Sequence, residues 1–260
     1  MHERILRFAL AALVACAAAA QPSARPATVS TFTLYYTDTA QEVEEMAGAV
    51  RAIADMPQAA PEADGRSLSL GGTADQIALA EWLLNQLDQP ASPRHDSTAH
   101  DYTAAARDPA VRVFHFAHVT ATLDYEEMVT AIHVVSNVPR FYPNWAQRAV
   151  VARGTAEDME RIQWMADELD QPPSGISSNG QSRDMTGHMY QAGAADDVTR
   201  LFRLAHAMDR SQMQDTLAQI RAATKLRLAV AIVSQKAFLI RGTAAQVGEA
   251  ADVIQVMDQP

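Results

Sequence analysis

The chain has 260 residues, 48% of them hydrophobic and 20% charged, with a formal net charge of −10. This balance excludes wholesale disorder and argues against a general nucleic-acid binder, whose surface must attract phosphate. Cys16 is the only cysteine, so no intrachain disulfide is available and the fold must stand on its core.

In chain order, the first segment reads as an export signal rather than part of the fold. Arg4 and Arg7 form a weakly basic start, residues 8–15 are a continuous apolar run, and residues 16–20 are small. This is the layout of a bacterial secretory signal peptide over residues 1–20, too short and too early for a spanning helix. Two processing routes fit it. Ala18 and Ala20 stand at the small-residue positions of a cut before Gln21; alternatively, Leu13-Val14-Ala15-Cys16 resembles a lipobox, which makes Cys16 a candidate lipidation site. No other segment approaches the ~18 apolar residues of a membrane span.

Three copies of one unit follow. Leu87-Asp88-Gln89-Pro90 recurs as Leu169-Asp170-Gln171-Pro172 and Met257-Asp258-Gln259-Pro260, and Gly72-Thr73-Ala74 recurs as Gly154-Thr155-Ala156 and Gly242-Thr243-Ala244. The step from Gly to Asp is 16 in every copy, and Phe32, Phe114 and Phe202 each precede their Gly by 40. Such matching is the mark of a tandem repeat. The units are placed at 31–90, 114–172 and 202–260, joined by linkers at 91–113 and 173–201.

Each unit opens with a period-two strand: Phe32-x-Leu34-x-Tyr36, Phe114-x-Phe116-x-His118 and Phe202-x-Leu204-x-His206. An amphipathic helix follows, carrying Val43, Met46, Ala47, Val50 and Ile53 in the first copy. Thr39 with Glu42 and Asp209 with Gln212 offer capping boxes at its start. The next stretch is a clear strand in copy three (226–233), aromatic and Pro-broken in copy two (140–145), and barely a strand in copy one. A short strand opened by Arg66, Arg148 or Lys236 precedes the Gly turn. Thr73, Thr155 and Thr243 then cap a last helix, which ends before the proline. The expected fold class is α+β, three tandem βαββα modules. The linkers, rich in Ser, Gly, Asp and Ala, read as flexible connectors, with a helical turn available at 101–107.

A βαββα unit of this size with a Gly-Thr turn and a closing Leu-Asp-Gln-Pro resembles the KH-like N-terminal periplasmic repeat of bacterial secretins. Copies one and two match the ending in full; copy three has Met257 in place of Leu. The resemblance implies an exported component of a type II secretion, type IV pilus or related machine, in the periplasm or anchored to the outer membrane of a Gram-negative bacterium. Secretins continue into a β-rich pore domain; this sequence stops on Pro260, so channel formation is not carried over.

No catalytic constellation emerges. His115, His118 and His133 fall in one unit, but the other copies do not reproduce them as convergent ligands, so neither metal nor cofactor is expected. There is no Gly-x-Ser-x-Gly elbow and no phosphate-binding glycine loop, and an RNA-binding Gly-x-x-Gly loop is also missing. The candidate interface residues are Trp82 and Trp164, on the polar face of the last helix, where copy three has Asp252. Intermolecular contact and packing under the linkers both fit them. Arg66, Arg148 and Lys236 are the second candidate set, placed to face acidic first helices of a neighbouring module. The reading is a non-enzymatic scaffold that assembles with itself or with a secretion or pilus component, with no nucleic-acid partner. The alternative is a monomeric binding module for a small ligand or envelope polymer, using Phe141, Tyr142 and Trp145.

Overall fold

The computed structural model of the protein describes residues 28–90, 99–104, 108–171, 188–193, 196–206 and 208–259. The expected export signal, residues 1–20, and Cys16 lie outside the described residues. Module 1 comprises β1 (Thr28–Thr33), α1 (Ala40–Ile53), β2 (Ala60–Pro61), β3 (Ser67–Gly72) and α2 (Ala74–Leu87). After β4 (Ala99–Thr103), module 2 comprises β5 (Ala110–His115), α3 (Thr122–Ser136), β6 (Arg140–Asn144), β7 (Ala149–Gly154) and α4 (Ala156–Leu169). After β8 (Met189–Gln191), module 3 comprises β9 (Val198–Arg203), α5 (Arg210–Thr224), β10 (Leu228–Ile232), β11 (Ala237–Gly242) and α6 (Ala244–Met257). The result is a mixed α+β chain with three small antiparallel sheets, compatible with repeated βαββα modules.

Local chemistry sets the helix starts. Thr39, Thr73, Thr155, Asp209 and Thr243 each accept the amide three residues on, and Glu42, Gln76, Asp158, Gln212 and Gln246 return a side-chain oxygen to the cap amide. These reciprocal bonds satisfy two otherwise orphaned donors at each start. Among the described helices, α3 alone begins without a side-chain cap, on Ala121.

The opening strands differ from the sequence expectation. They begin about four residues earlier, at Thr28, Ala110 and Val198, and end at Thr33, His115 and Arg203. Leu34, Tyr36, His118 and His206 therefore lie beyond the strands, not in them. The cause is the aspartate of the closing motif. Asp88 accepts the Tyr35 and Tyr36 amides at 2.6 and 2.9 Å and the Thr37 hydroxyl at 2.9 Å. Asp170 takes the Ala117, His118 and Val119 amides, and Asp258 those of Ala205 and His206. Each carboxylate draws the chain away from the sheet and ties the end of the last helix to the start of the first.

The connectors also carry structure that the sequence reading missed. β4 pairs antiparallel with β5, Tyr102 opposite Val111, and β8 pairs with β9, Tyr190 opposite Thr199. The turn expected at 101–107 is thus a strand through Thr103. The sheet orders are β1-β3-β2, β4-β5-β7-β6 and β10-β11-β9-β8. Pro143 sits within β6 opposite Val150, which is tolerable because β6 is an edge strand among the described residues, with no further neighbour there to receive its missing N–H.

The modules stack. The first core contains Val111, Val113, Ala149 and Val151 of module 2 together with Ala49, Val50 and Leu83 of module 1. The second contains Leu201, Ile232, Ala237 and Leu239 of module 3 with Ala131 and Ile132 of module 2. Sheets 2 and 3 therefore have helices on both faces: their own on one, those of the preceding module on the other. All of β7 is buried, as is Ala237-Phe238-Leu239-Ile240 in β11. A strand covered on both sides reads as a continuous apolar run. β3 instead alternates Ser67-Leu68-Ser69-Leu70, because module 1 has helices on only one face of its sheet among the described residues.

Candidate functional site at the module junctions

The chemistry that recurs is the contact between one module's helices and the next module's sheet. At the first junction the Arg153 guanidinium, on β7, donates to the Ile53 carbonyl at the end of α1 at 2.8 Å and to Asp55 at 3.3 Å. At the second, Arg241 on β11 donates to the Ser136 and Val135 carbonyls at the end of α3 at 2.7 and 3.3 Å. Arg153 and Arg241 hold the same place in the repeat. A helix end leaves carbonyls without intrahelical partners and carries partial negative charge, so a buried guanidinium suits it twice over.

Two further contacts repeat. Glu45 on α1 accepts the Trp145 amide at 3.3 Å, and Glu127 on α3 accepts the Ser234 amide at 2.9 Å. In both cases a helix carboxylate receives an exposed N–H of the following module's hairpin turn. Gln147 donates to the Gln89 carbonyl at 3.2 Å and Gln235 to the Leu169 carbonyl at 2.7 Å, tying the same turn to the last helix. Gly48 on α1 admits the Tyr142 ring so closely that a Cβ there would collide with its hydroxyl. Burial, with Glu45 nearby, pushes the Tyr142 phenol above its ordinary pKa.

The second junction adds a charge network around one buried arginine. Asp197, just ahead of β9, accepts Arg241 Nε and Nη2 at 2.9 and 2.7 Å and Arg161 Nη2 of α4 at 3.0 Å. Arg161 has a side chain only 1% exposed and also pairs with Glu157 and Asp158. The Arg241 hydrogen bonds hold the Asp197 carboxyl below its ordinary pKa, against the opposing effect of burial, with Arg161 and Arg241 charges assisting. At the first junction Arg140 bridges Asp55 and Asp108 at 3.0 and 3.1 Å, and the Asp55 hydrogen bond leads in raising the arginine's pKa.

The sequence candidates fall at defined places. Trp82 and Trp164 are half-buried, each covered by the strand that follows: Trp82 packs on Tyr102 at 5.2 Å between ring centroids and Trp164 on Tyr190 at 6.0 Å. Intramolecular packing therefore occupies at least one side of both rings. Arg66, Arg148 and Lys236 sit one residue ahead of their strands. Arg66 pairs with Asp38 of its own module at 3.1 Å and Arg148 donates to the Val119 carbonyl at 2.9 Å. Lys236 lines an open polar cleft of about 400 Å³ with His118, Asp124 and Gln235. The helix anions Glu45 and Glu127 do face the following module, but hairpin amides meet them there, together with Arg210 on Glu127 at 3.1 Å.

The histidines and aromatics of module 2 have separate partners. His133 stacks on Phe141 with ring centroids 4.7 Å apart, His118 Nδ1 lies 3.0 Å from the Asp170 carbonyl, and His115 is buried in β5. Among the described residues no group of three or more His, Cys, Asp or Glu side chains is arranged to hold a metal ion. Tyr142 lies in the first junction and Trp145 packs edge-on against Tyr125, so the aromatic set proposed to line a ligand pocket does not converge on one. Among the described residues no helix is long and apolar enough to cross a membrane.

Sequence reasoning placed the acidic first helices, Glu45 and Glu127 among them, toward a neighbouring module but missed Arg153 and Arg241. A signal for the arginines was present: a basic residue two before the turn threonine in copies two and three, against Gly71 in copy one.

No family model matches this chain, and no curated protein matches it. Among solved structures it is similar to ExeD of Aeromonas hydrophila, with 13% identity and a TM-score of 0.20, over 89% of this chain and 41% of that one. It is also similar to the N-terminal domain of the secretin XcpQ from Pseudomonas aeruginosa, at 13% identity and a TM-score of 0.23, over 56% of this chain and 62% of that one. The type II secretion system secretin GspD of E. coli K12 matches at 12% identity and a TM-score of 0.19, over 90% of this chain and 39% of that one. The chain thus spans about two fifths of ExeD and of GspD.

Proposed function

We propose that this protein is a non-enzymatic scaffold of the bacterial envelope, resembling the N-terminal repeats of secretins and assembling with a component of a secretion or pilus machine. The observation that carries the reading is the repeated junction: an arginine on a helix end, a helix carboxylate on a turn amide, and a turn glutamine at the end of the last helix, built twice around Arg, Glu and Gln side chains at equivalent positions. Such a contact fixes one module on the next and serves spacing and presentation of surfaces. The repeated carboxylates Asp88, Asp170 and Asp258 are engaged by backbone amides, which suits a structural role. The export signal and the closing Leu-Asp-Gln-Pro agree with a periplasmic or outer-membrane-anchored location.

The test is in-cell photo-crosslinking of the full chain in a host that carries a secretion or pilus secretin, followed by identification of the adducts. Reproducible adducts with an envelope secretion component are expected. A chain that stays in the cytoplasm, or that crosslinks to no such component from any module, would remove the reading.

A further inference from the structure

The two junctions define a receiving face and a donating face, and module 3 retains most of a receiving one. Asp215 on α5 stands where Glu45 and Glu127 stand on α1 and α3, and it is exposed. Ala223 and Thr224 end α5 where Ile53 and Ser136 end theirs. Met257 and Gln259 correspond to Leu169 and Gln89, whose carbonyls receive the turn glutamine. Asp215, Gln259, Met257, His206, Gln212 and Gln219 line a groove of about 230 Å³. It occupies the place where, in module 2, the Ser234–Gln235 turn is seated. Val256, on the neighbouring α6 face, is 71% exposed, the one large aliphatic side chain left open there among the described residues.

We infer that the α5–α6 face of module 3 is a docking surface for an antiparallel sheet of another protein, one that brings a hairpin-turn amide to Asp215 and a guanidinium to the α5 end. The inference deepens the scaffold reading and rests on it. Continuity with the two internal junctions supplies the geometry.

A second copy of this chain is a poor occupant. Its own uncovered sheet, in module 1, has Gly71 where Arg153 and Arg241 donate and Gly65 where Gln147 and Gln235 donate. That sheet presents Thr31 and Ser69 where the donating faces present Val113 and Val151, or Leu201 and Leu239. It offers neither the cation nor the apolar surface. The receiving face is itself more polar than the internal ones, since Gln219 replaces Ala49 and Ala131. The docked sheet therefore meets a carboxamide at its centre, which suits a reversible contact more than a permanent one.

The test supplies a sheet of known donating chemistry. Residues 173–260 are appended a second time after Pro260, and amide hydrogen exchange is followed across residues 210–224 of the original module 3. Exchange there is expected to slow by about tenfold or more relative to the unextended chain, and Asp215→Lys in the extended chain should abolish the slowing. Unchanged exchange in α5, with the appended copy itself protected, would make this face a polar cap and overturn the proposal. Should the appended copy not fold, Glu127→Asp with Ala131→Gln gives α3 the residues of α5 within the native chain. Persistence of β10–β11 protection supports the inference, and its loss with module 2 intact overturns it. Concentration-dependent self-association of the unextended chain that disappears in Asp215→Lys would also overturn it, by making a second copy the occupant. Crosslinking elsewhere on the chain tests the scaffold reading separately, so the two can fail independently.

Discussion

The Arg153 side chain and the Ile53 carbonyl, 100 positions apart in sequence, are joined by a 2.8 Å hydrogen bond that closes the end of α1 with a residue of the following module. Arg241 does the same for α3 through Ser136. Because the Arg153 side chain is 5% exposed, the bond is shielded from solvent competition. Removing the guanidinium leaves the helix-end carbonyl without that donor. Arg153→Ala is expected to cost about 1.5–3 kcal/mol, the range for hydrogen bonds to charged groups. The loss should appear in urea unfolding as uncoupling of module 1 from module 2, with a lower, broader first transition. A single transition at an unchanged midpoint would show that the apolar contact alone holds the junction.

The aspartate clasp should be graded along the chain. Asp170 has a side chain 2% exposed and takes three amides, whereas Asp258 is 13% exposed and takes two. Replacing either by Asn removes the charge and leaves a single carbonyl oxygen as acceptor. Asp170→Asn is expected to destabilise its module by about 1–3 kcal/mol, and Asp258→Asn by less. Thermal unfolding of the two variants checks the order; equal losses would mean that burial does not set the strength of the clasp.

Acid should loosen the second junction. Arg241 and Arg161 lower the folded-state pKa of Asp197, so its contribution is fully present above the unfolded value of about 3.9 and is lost as pH falls through the lower folded value. The destabilisation caused by Asp197→Asn is therefore expected to be large at neutral pH and to shrink below about pH 4. Urea midpoints for both proteins across that range read it directly, and a gap independent of pH would contradict it.

Tyr102 covers Trp82, and Tyr190 covers Trp164. Tyr102→Ala should shift the Trp82 emission to longer wavelength and cost about 0.5–1.5 kcal/mol for the ring pair beyond area lost. A Trp164→Phe background isolates Trp82 and Trp145 for the measurement. An unmoved emission maximum would mean that other groups shield the ring.

The uncovered sheet of module 1 should be kept soluble by its hydroxyls. Thr31→Val with Ser69→Val gives it the apolar surface of the buried sheets, and concentration-dependent scattering is expected to rise. A variant as monodisperse as the parent would show that the flat face alone does not drive association.

Much of this protein is determined locally and can be read from its sequence. Helix starts follow from Thr39-x-x-Glu42 and its equivalents because a capping box closes within four residues. The Gly72, Gly154 and Gly242 turns and the final prolines mark element ends for the same reason, and identical spacing in three copies makes the module visible. The alternation of Ser67-Leu68-Ser69-Leu70 against the unbroken Ala149-Val150-Val151-Ala152 even records which sheet is covered on both faces. What the tertiary structure decided are the partnerships across long separations. Nothing near Asp88 in sequence shows that its carboxylate collects the Tyr35 and Tyr36 amides, which is why the opening strands end earlier than their period suggests. Tyr102 and Tyr190 stand in aperiodic connectors, and their strands form because β5 and β9 offer an edge and the tryptophans a surface to cover. Arg153 and Arg241 look like ordinary strand cations until the preceding helix ends arrive beside them, because a helix-end carbonyl attracts a guanidinium only when both are brought together and removed from water.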